Sequence, residues 1–495
     1  MSASRPVGRK ILARGALLLL ALLVAVLAVR TVVFRRSGPI AAAQVPALRI
    51  DLPRAAQRLG EAIRLRTISA ADQPESPRAA LEALRTWLAA TYPAFHALAA
   101  PTVVGGGTLL FEWKGSDAAL RPIVLMAHQD VVPEVAPERW KHPPFSGALD
   151  EGSVWGRGSI DDKGSLIAIM EAVEALAAAG HVPARTLWLV FGHDEETSGS
   201  GARAAAELLA SRGVQAEFVL DEGSLAIADH PVTHAPVALI GISEKGYATV
   251  RVTARAGGGH ASMPPQDTAV ATLARAIDAI MGSPFPMRYD GATQAMLEAL
   301  VPEVPALTRL AIANAWLFRP LLVKQIGATP QGAAMLHTTL APTMLAGATR
   351  ENVLPTEASA TFNLRIAPGD TVAGVMQHLR QSVGALPVTL ELVGESRDPS
   401  VVSPVDSFGF RLIGGAARAV FGTAVAPAPV IAATDSRHMS VLTRNIYRFQ
   451  PLQLSLAETA MIHGIDEHIS IEALQRMVQF YGTLVATATA ATVQP

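Results

Sequence analysis

Hydrophobic and polar positions follow two different patterns along the chain, and the first pattern fills residues 51–240. Short continuous apolar runs alternate there with segments in which apolar residues recur every three or four positions. The runs are typical of strands buried on both faces, and the three-to-four spacing is typical of helices. This alternation predicts an α/β fold with a mostly parallel sheet flanked by helices. The predicted strands are RPIVLMAH (121–128), TLWLVFGH (186–193) and AEFVLDEG (216–223), and the predicted helices are KGSLIAIMEAVEALAAAG (163–180) and GARAAAELLASRG (201–213).

The second pattern begins near residue 245. Apolar and polar residues alternate in YATVRVTARA, as they do in a strand with one solvated face. The elements that follow have the order β-α-β-β-α-β, which predicts a ferredoxin-like α+β domain. The stretch 283–336 is longer than an ordinary connection and predicts a helical insertion within this domain. The predicted elements are a strand at 247–256, a helix at 267–281, strands at 337–349 and 358–368, a helix at 371–383 and a strand at 387–395.

After residue 395, apolar runs and segments with helical spacing alternate again, as in the first pattern. We therefore predict a discontinuous catalytic domain with a smaller lid domain inserted. The predicted divisions are a membrane anchor or signal segment at 1–36, a linker at 37–50, the first part of the catalytic domain at 51–245, the lid domain at 246–395 and the second part of the catalytic domain at 396–495.

The N-terminal segment contains an uninterrupted apolar run, GALLLLALLVAVLAV, at residues 15–29. A membrane-spanning helix needs about 20 residues, and the run reaches that length if Arg30 snorkels and residues 31–34 are included. A cleaved signal peptide is the alternative, with Ala41 to Ala43 as the small residues at the cleavage site. Both interpretations predict an anchored or exported protein whose catalytic domain is extracytoplasmic. Basic residues on both sides leave the orientation open: Arg5, Arg9, Lys10 and Arg14 precede the run, and Arg30, Arg35 and Arg36 follow it.

Composition narrows the chemistry. A chain of 495 residues is too long for one ordinary core, so two or more domains are expected. Lys and Arg total 41 against 42 Asp and Glu, which gives no broad electrostatic attraction to nucleic acid. The chain has no cysteine, so disulfides and thiolate metal sites are excluded. Any metal ion must therefore be bound by His, Asp and Glu.

Polar residues follow the predicted strands at the edge where ligands bind in open parallel sheets. Because carboxylates this close repel one another, a cation is expected among them. Imidazole with carboxylate suits zinc or a neighbouring first-row ion, and two ions need a bridging carboxylate. We expect Asp130 to accept the second ring N–H of His128. In the pair Glu195–Glu196, one carboxylate can bind metal while the other transfers a proton. The residues at this edge are His128 and Asp130, His193 to Glu196, Asp221 and Glu222, and, in a Gly-rich turn, Asp161 and Asp162.

Five motifs occur in an order that resembles a known family: MAHQDVVP, GRGSIDDKG, GHDEETSG, LDEGS and MIHGIDEHIS. The chain resembles the co-catalytic zinc peptidase and aminoacylase family over about residues 50–490. That family includes carboxypeptidase S, aminoacylases, glutamate carboxypeptidase and succinyl-diaminopimelate desuccinylase. The segments TRENVLP and TDSRH make the carboxypeptidase S and N-fatty-acyl-amino-acid hydrolase branch the nearest. The resemblance implies a zinc-peptidase-like catalytic domain with an inserted lid domain.

The resemblance also implies two zinc ions per chain, with cobalt or manganese as alternatives. Asp161 would bridge the ions and is preferred to Asp162, whereas the choice of Asp221 over Glu222 is closer. Glu195 would be the general base and then the proton donor to the leaving amine. The implied metal ligands are His128, Asp161, Glu196, Asp221 and His463.

In the lid domain the resemblance implies residues that bind substrate. His260, in GGGHASMPP, would polarise the scissile carbonyl and is often supplied by a partner subunit, so a homodimer through the lid domain stays open. Asn352, in TRENVLP, would contact substrate. Arg365, in NLRIAPG, would hold the substrate carboxylate, and Arg437, in TDSRH, is a second candidate for that role.

These inferences predict a dinuclear zinc hydrolase that cleaves the amide bond of a short peptide or an N-acyl amino acid with a free carboxylate. A carboxypeptidase or dipeptidase and an N-acyl-amino-acid hydrolase both remain open. The apolar insertion at 283–336 fits either a site for an acyl chain or a covered core. The alternative from another class is a non-catalytic binding ectodomain on the same fold.

Overall fold

The computed structural model describes residues 7–34, 40–70 and 77–491, with side chains from residue 12 onward. The ends of the predicted N-terminal segment, with Arg5, Arg35 and Arg36, and the start of the predicted linker lie outside the described residues, as do the side chains of Arg9 and Lys10.

The stretch up to residue 245 contains the N-terminal helix and the first elements of the main domain. Its helices are α1 Val7–Val33, α2 Leu52–Arg64, α3 Arg78–Thr91, α4 Pro93–Leu98, α5 Lys163–Ala178 and α6 Ser200–Ser211. Its strands are β1 Thr102–Val104, β2 Thr108–Trp113, β3 Ile123–His128, β4 Ala148–Asp150, β5 Ser153–Trp155, β6 Leu187–Gly192, β7 Phe218–Asp221, β8 Ala226–Ile227 and β9 Val237–Glu244.

The next stretch, to residue 395, mixes long strands with short helices. Its strands are β10 Gly246–Arg255, β11 Gly259–His260, β12 Thr339–Ala346, β13 Val353–Leu354, β14 Glu357–Ile366 and β15 Val388–Leu392. Its helices are α7 Ala269–Met281, α8 Gly291–Ala299, α9 Ala306–Ala313, α10 Ala315–Ile326, α11 Pro330–Leu336 and α12 Val372–Val383.

The last stretch returns to the main domain and completes its sheet and its helical cover. Its elements are α13 Phe408–Phe421, β16 Ala424–Val430, β17 Ile446–Arg448, β18 Gln453–Leu454, β19 His468–Ser470 and α14 Ile471–Ala488.

The main sheet has the strand order β1-β2-β6-β3-β7-β17-β9-β8-β18, with β16 also paired to β9. The sheet is mixed, which corrects the prediction of a mostly parallel sheet. The centre, β6-β3-β7-β17, is parallel, but β1, β2 and β6 pair antiparallel, as do β8 and β9. The three-residue turn at Gly105 to Gly107 is too short for a parallel crossover, so β1 and β2 form a hairpin.

Strand alternation places the two faces of the main sheet in separate cores. Ile123 and Leu125 face a large core with α5, α13 and α14, whereas Val124 and Met126 face a smaller core built with α6. All six residues of β3 are buried, as are those of β6. The continuous apolar runs in the sequence are explained by this burial on both faces.

The middle stretch forms an antiparallel sheet of its own, in the order β12-β14-β10-β15, and α7 and α12 pack against it. Between α7 and β12, helices α8 to α11 occupy the stretch where the sequence predicts a helical insertion. They pack around Tyr289, Met296 and Leu300 and against β16 of the main sheet.

The N-terminal helix stands largely apart from these cores. Its segment Leu12–Val33 is 22 residues long, is apolar enough to cross a membrane, and is not buried. The chain that follows, residues 40–50, has no helix or strand but is not a free linker. Its Leu48 and Ile50 pack on the large core, and Ala43 donates its main-chain N–H to Gly415 O at 3.0 Å.

Candidate metal centre and active site

The central parallel strands bring their polar ends to one edge of the main sheet. His128 is the last residue of β3 and lies in register beside Gly192, the last residue of β6. Asp221 is the last residue of β7 on the other side of β3. Because parallel strands end at a common edge, the segments after these strands converge at this edge.

Asp161, predicted from the sequence to bridge two ions, lies between two histidines. Its Oδ1 lies 2.8 Å from Nε2 of His128, and its Oδ2 lies 3.0 Å from Nε2 of His463. The His463 Nε2 also lies 3.2 Å from Oε2 of Glu196. Atoms of His128, Asp161 and Glu196 that are able to bind a metal lie within 4.8 Å of one another. Four of the five predicted ligands therefore come together.

Electrostatics at this cluster favour added positive charge. Burial lowers the pKa of His128, but hydrogen bonds to Asp130 and Asp161 outweigh it and raise that pKa well above its usual value. Hydrogen bonds to Asp161 and Glu196 raise the pKa of His463 to about 10. Glu196 Oε1 is buried and has no hydrogen-bond partner among the described residues. An imidazole and carboxylate set with an unpartnered buried oxygen fits a zinc-type ion.

Asp130 holds the loop that carries the two glutamates. Its Oδ1 accepts the main-chain N–H of Glu195 at 3.1 Å, and its Oδ2 accepts that of Glu196 at 3.2 Å. The acceptor nearest to His128 Nδ1 is the main-chain carbonyl of Asp130 at 2.9 Å, whereas the carboxylate lies 3.5 Å away. The His128 ring nitrogen therefore faces both the main-chain carbonyl and, at the longer distance, the carboxylate of Asp130.

Glu467 holds the turn that carries Asp161, and sequence analysis missed it. Its buried carboxylate accepts main-chain N–H groups of Gly158, Ile160 and Asp161 and pairs with Arg157 at 2.6 Å. The signal was present in the sequence, since an acid four residues after His463 in a metal motif is a candidate to orient the ligands.

Asp162 lies beside Asp161 but faces a different set of partners. Its Oδ2 accepts the main-chain N–H of His128 at 3.3 Å, and its Oδ1 accepts Nε2 of Gln450 at 3.1 Å. The residue is fully buried, and burial raises its pKa well above the usual value. Asp162 therefore supports the backbone at His128, in keeping with the preference for Asp161 as the bridge.

The fifth predicted ligand, Asp221, is engaged by the backbone. Its Oδ1 accepts the N–H of Glu222 at 2.9 Å, and its Oδ2 accepts that of Ser436 at 2.7 Å. Burial raises the pKa of Glu222 well above its usual value, and the charge that adds most to this rise is that of Asp161. Both acids therefore lie at this edge of the sheet, and the choice between them stays open.

Glu195, the predicted base, lies at the same edge with a cation beside it. Burial raises its pKa well above the usual value, and the nearby charge of Asp435 raises it further. Nη1 of Arg437 lies 3.3 Å from Oε1 of Glu195 and also donates to Thr434 O at 2.7 Å. Arg437, the second candidate to hold a substrate carboxylate, pairs with Glu195 in this structure.

Arg365 belongs to a cationic cluster on the lid-domain sheet. Tyr247 lies between Arg365 of β14 and Arg397, which pairs with Tyr247 from the other side. The guanidinium carbons of Arg365 and Arg397 lie 5.1 and 5.9 Å from the Tyr247 ring centre. Neither guanidinium has an ion pair with a carboxylate among the described residues. Sequence analysis missed Arg397 because it lies in an irregular segment.

His260 and Asn352 come together in the lid domain. Strand β11 pairs with β13, and Ala261 donates its N–H to Asn352 O at 3.1 Å. The His260 ring is exposed, and its Nδ1 lies 2.7 Å from Ser262 Oγ. No hydrogen bond or ion pair joins either side chain to the metal cluster in the described part of the chain.

Comparison with protein families matches residues 124–487 to the description "Peptidase family M20/M25/M40". The match covers most of the chain and spans every residue of the cluster around Asp161. The chain belongs to this peptidase family. As a member, it is a metallopeptidase or amidohydrolase that acts on peptide-like amide bonds, and the predicted family and enzyme class are confirmed.

Curated relatives of this M20 family chain bear two kinds of name. It is 35% identical over 438 residues to "Probable carboxypeptidase S-like 2" of Dictyostelium discoideum, across 87% of this chain and 84% of the relative. It is 38% identical over 437 residues to "N-fatty-acyl-amino acid synthase/hydrolase PM20D1" of Xenopus tropicalis, across 87% and 85%. Both kinds of enzyme in the branch predicted from the sequence therefore appear among the names of its relatives.

Solved structures support the same fold at low sequence identity. A metallo-carboxypeptidase of the M20 family from Sulfolobus solfataricus matches with a TM-score of 0.66 at 17% identity, across 87% of this chain and 98% of that one. Human carnosine dipeptidase 1 matches with a TM-score of 0.58 at 18% identity, across 88% and 96%. The mixed α/β architecture of this M20 chain is therefore that of peptidases with known structures.

Proposed function

We propose that this chain is a dinuclear zinc hydrolase for N-acyl amino acids and short peptides with a free carboxylate. The observation that carries the proposal is the position of Asp161 between His128 and His463, with Glu196 against His463. One carboxylate with an imidazole at each oxygen matches what a bridging ligand needs. His128, Asp161, Glu196 and His463 would hold the ions, and Glu222 or, as first predicted, Asp221 would complete the set.

The hydrogen bonds of Asp221 favour Glu222 for the fifth ligand. Both oxygens of Asp221 already accept main-chain N–H groups, and the pKa of Glu222 is raised by burial and further by the nearby charge of Asp161. When bound, zinc ions polarise a carbonyl and lower the pKa of water at the site, and manganese or cobalt would do the same.

Glu195 is the residue that moves the proton. Burial and the charge of Asp435 raise the pKa of Glu195 above its usual value, which strengthens this carboxylate as a proton acceptor. Glu195 takes a proton from the attacking water and gives it to the departing amino group. Arg437 stabilises the ionised form of this base through the 3.3 Å contact. Asp130 keeps Glu195 in place through its main-chain N–H.

Arg365 and Arg397 would hold the free carboxylate of the leaving amino acid. Two guanidinium groups beside one aromatic ring, with no acid paired to either among the described side chains, form a site for an anion. His260 and Asn352 would reach the scissile amide from the lid domain. Because the His260 ring is exposed, it is available to a second subunit as well as to its own, which keeps the homodimer open.

We also propose that α1 anchors the chain or serves as its export signal, with the hydrolase on the extracytoplasmic side. The support is the apolar segment Leu12–Val33, in which no residue is buried.

Hydrolysis assays decide the substrate class. The full chain in detergent is offered a series of fatty-acyl amino acids, short-acyl amino acids and dipeptides, each with and without a free carboxylate. We expect release of the amino acid only from substrates with the carboxylate, and loss of activity with a chelator followed by recovery with zinc. Turnover that survives complete metal removal, or equal turnover of the carboxamide analogues, would contradict the proposal.

A further inference from the structure

Helices α9 and α10 present an apolar surface to solvent. The two helices bend by 118° at their junction and together have the length and composition of a membrane segment. On α10, Trp316, Leu317 and Leu321 are exposed and share one face with Pro320, since they lie one and four positions apart. Leu307 of α9 is 83% exposed. Large apolar side chains grouped on one exposed helix face, as on α10, mark an interaction surface.

The charged side chains of the same segment are all positive. Residues 304–350 contain no Asp or Glu but include Arg309, Arg319, Lys324 and Arg350. Arg319 and Lys324 are exposed on α10. Arg309 is engaged by main-chain carbonyls of the preceding turn. Lys324, four positions after Pro320, continues the same face at its C-terminal end, where its long side chain extends toward the headgroups. Exposed tryptophan and leucine with cations and no acid nearby in the sequence are typical of helices that lie in the interface of an anionic membrane.

The surface is continuous with the helix that is able to span a membrane. Within residues 12–34, only Leu23, Leu27, Thr31 and Phe34 are shielded from solvent, and they form one stripe of α1. Asn314, at the bend between α9 and α10, is fully buried and donates to Leu27 O at 3.2 Å and Thr31 Oγ1 at 3.1 Å. A helix rises about 12 Å from Leu23 to Thr31, so the shielded stripe extends over about 12 Å of the length of α1.

We propose that α9 and α10 form a membrane-docking surface, seated in the interface of an anionic lipid bilayer beside α1. Trp316, Leu317 and Leu321 lie among the acyl chains, and Arg319 and Lys324 contact lipid phosphates. The bilayer is the occupant that fits, because an α1 that crosses the membrane carries its packed neighbour into the same leaflet. The docking does not depend on which substrate the enzyme cleaves.

The absence of cysteine in the sequence makes the test direct. Full-length Trp316→Cys and Leu321→Cys variants are labelled with the fluorophore NBD and reconstituted in phosphatidylcholine vesicles with phosphatidylglycerol. The matched control is Val182→Cys, at an exposed apolar position between α5 and β6. We expect blue-shifted emission that doxyl lipids quench at 316 and 321, and unshifted, unquenched emission at 182.

A second experiment tests the contribution of the positive charges. Replacing Arg319 and Lys324 together by Gln is expected to remove stronger quenching by doxyl-phosphatidylglycerol over doxyl-phosphatidylcholine, while Arg255→Gln, an exposed arginine paired with Glu357, keeps it. Labels at 316 and 321 that respond no more than the label at 182 would overturn the proposal, as would a chain that does not float with vesicles. A blue shift without doxyl quenching would mean that a second copy covers the face, which also overturns it.

Discussion

His463 Nε2 lies 3.0 Å from Asp161 Oδ2, although the two residues come from distant parts of the chain. Asp161 follows the strand β5 and precedes α5, and His463 precedes the strand β19 that pairs with β5. His463 has a φ of 59°, a conformation uncommon for a residue other than glycine. The pairing of β5 with β19 therefore brings the second imidazole to the carboxylate.

Replacing Glu195 by Gln removes the proposed base and keeps the shape of the side chain. We expect kcat to fall by about 10³-fold, within the range that general acid–base catalysis contributes. Metal content, measured by mass spectrometry, should stay at the wild-type value because Glu195 is not among the proposed ligands. Wild-type turnover in this variant would refute its role.

The two adjacent acids after β7 are separated by a pair of variants. Glu222→Gln is expected to lower the bound zinc from two ions per chain toward one, because the proposed fifth ligand is lost. Asp221→Asn should mainly lower thermal stability, since its carboxylate accepts the N–H groups of Glu222 and Ser436. Zinc analysis and thermal melting of both proteins are the measurements. The reverse pattern, with zinc lost only in Asp221→Asn, would restore Asp221 as the ligand.

Arg397 should control the affinity for the substrate carboxylate. Arg397→Gln removes one of the two guanidinium groups beside Tyr247, and a lost charged hydrogen bond weakens binding by about 1.5–3 kcal/mol, or roughly 10- to 100-fold in KM. We expect kcat to change little. The control is Arg255→Gln, at the opposite end of β10 from Tyr247. If Arg397→Gln weakens carboxamide analogues as much as carboxylates, the assignment fails.

The buried carboxylate of Glu467 should matter for stability and for metal binding. Glu467→Gln leaves Arg157 buried without its charge partner and removes an acceptor for main-chain N–H groups, so we expect unfolding free energy to fall by about 3–5 kcal/mol. Urea denaturation measures this. Glu472→Gln, at the exposed start of α14, should change it by less than about 0.5 kcal/mol. Equal stability of both variants would rule out the role given to Glu467.

Acid should destabilise the fold through His230. Burial, with a smaller contribution from His234, lowers the pKa of His230 to about 4, below the usual value of 6.5. The folded state therefore favours the neutral ring, and this stability is complete above about pH 6.5 and lost as the pH falls toward 4. Between pH 7 and 5 we expect a loss of about 1–2 kcal/mol from this group. His230→Gln should flatten the decline by that amount in denaturant titrations, and an unchanged slope would contradict the effect.

Local pattern was enough to predict most elements of this chain. The helix predicted at 267–281 is observed as Ala269–Met281, and the strand predicted at 358–368 as Glu357–Ile366. Apolar periodicity reflects burial on one or two faces, which is a local property. The prediction for the edge strands of the main sheet was wrong. Pairing partners depend on contacts between distant segments, and turn geometry decides whether a hairpin forms in place of a crossover.

The sequence by itself determined the family and the residue types and order of the candidate ligands, because the chemistry of binding a cation restricts which residues are usable. The tertiary structure alone decided which partners they meet. It paired Arg437 with Glu195, turned the Asp130 carboxylate toward main-chain N–H groups and brought Glu467 beneath Asp161. It also gathered Arg397 with Arg365. These contacts depend on distances between segments far apart in the chain, which side-chain type and spacing along one strand or helix do not encode.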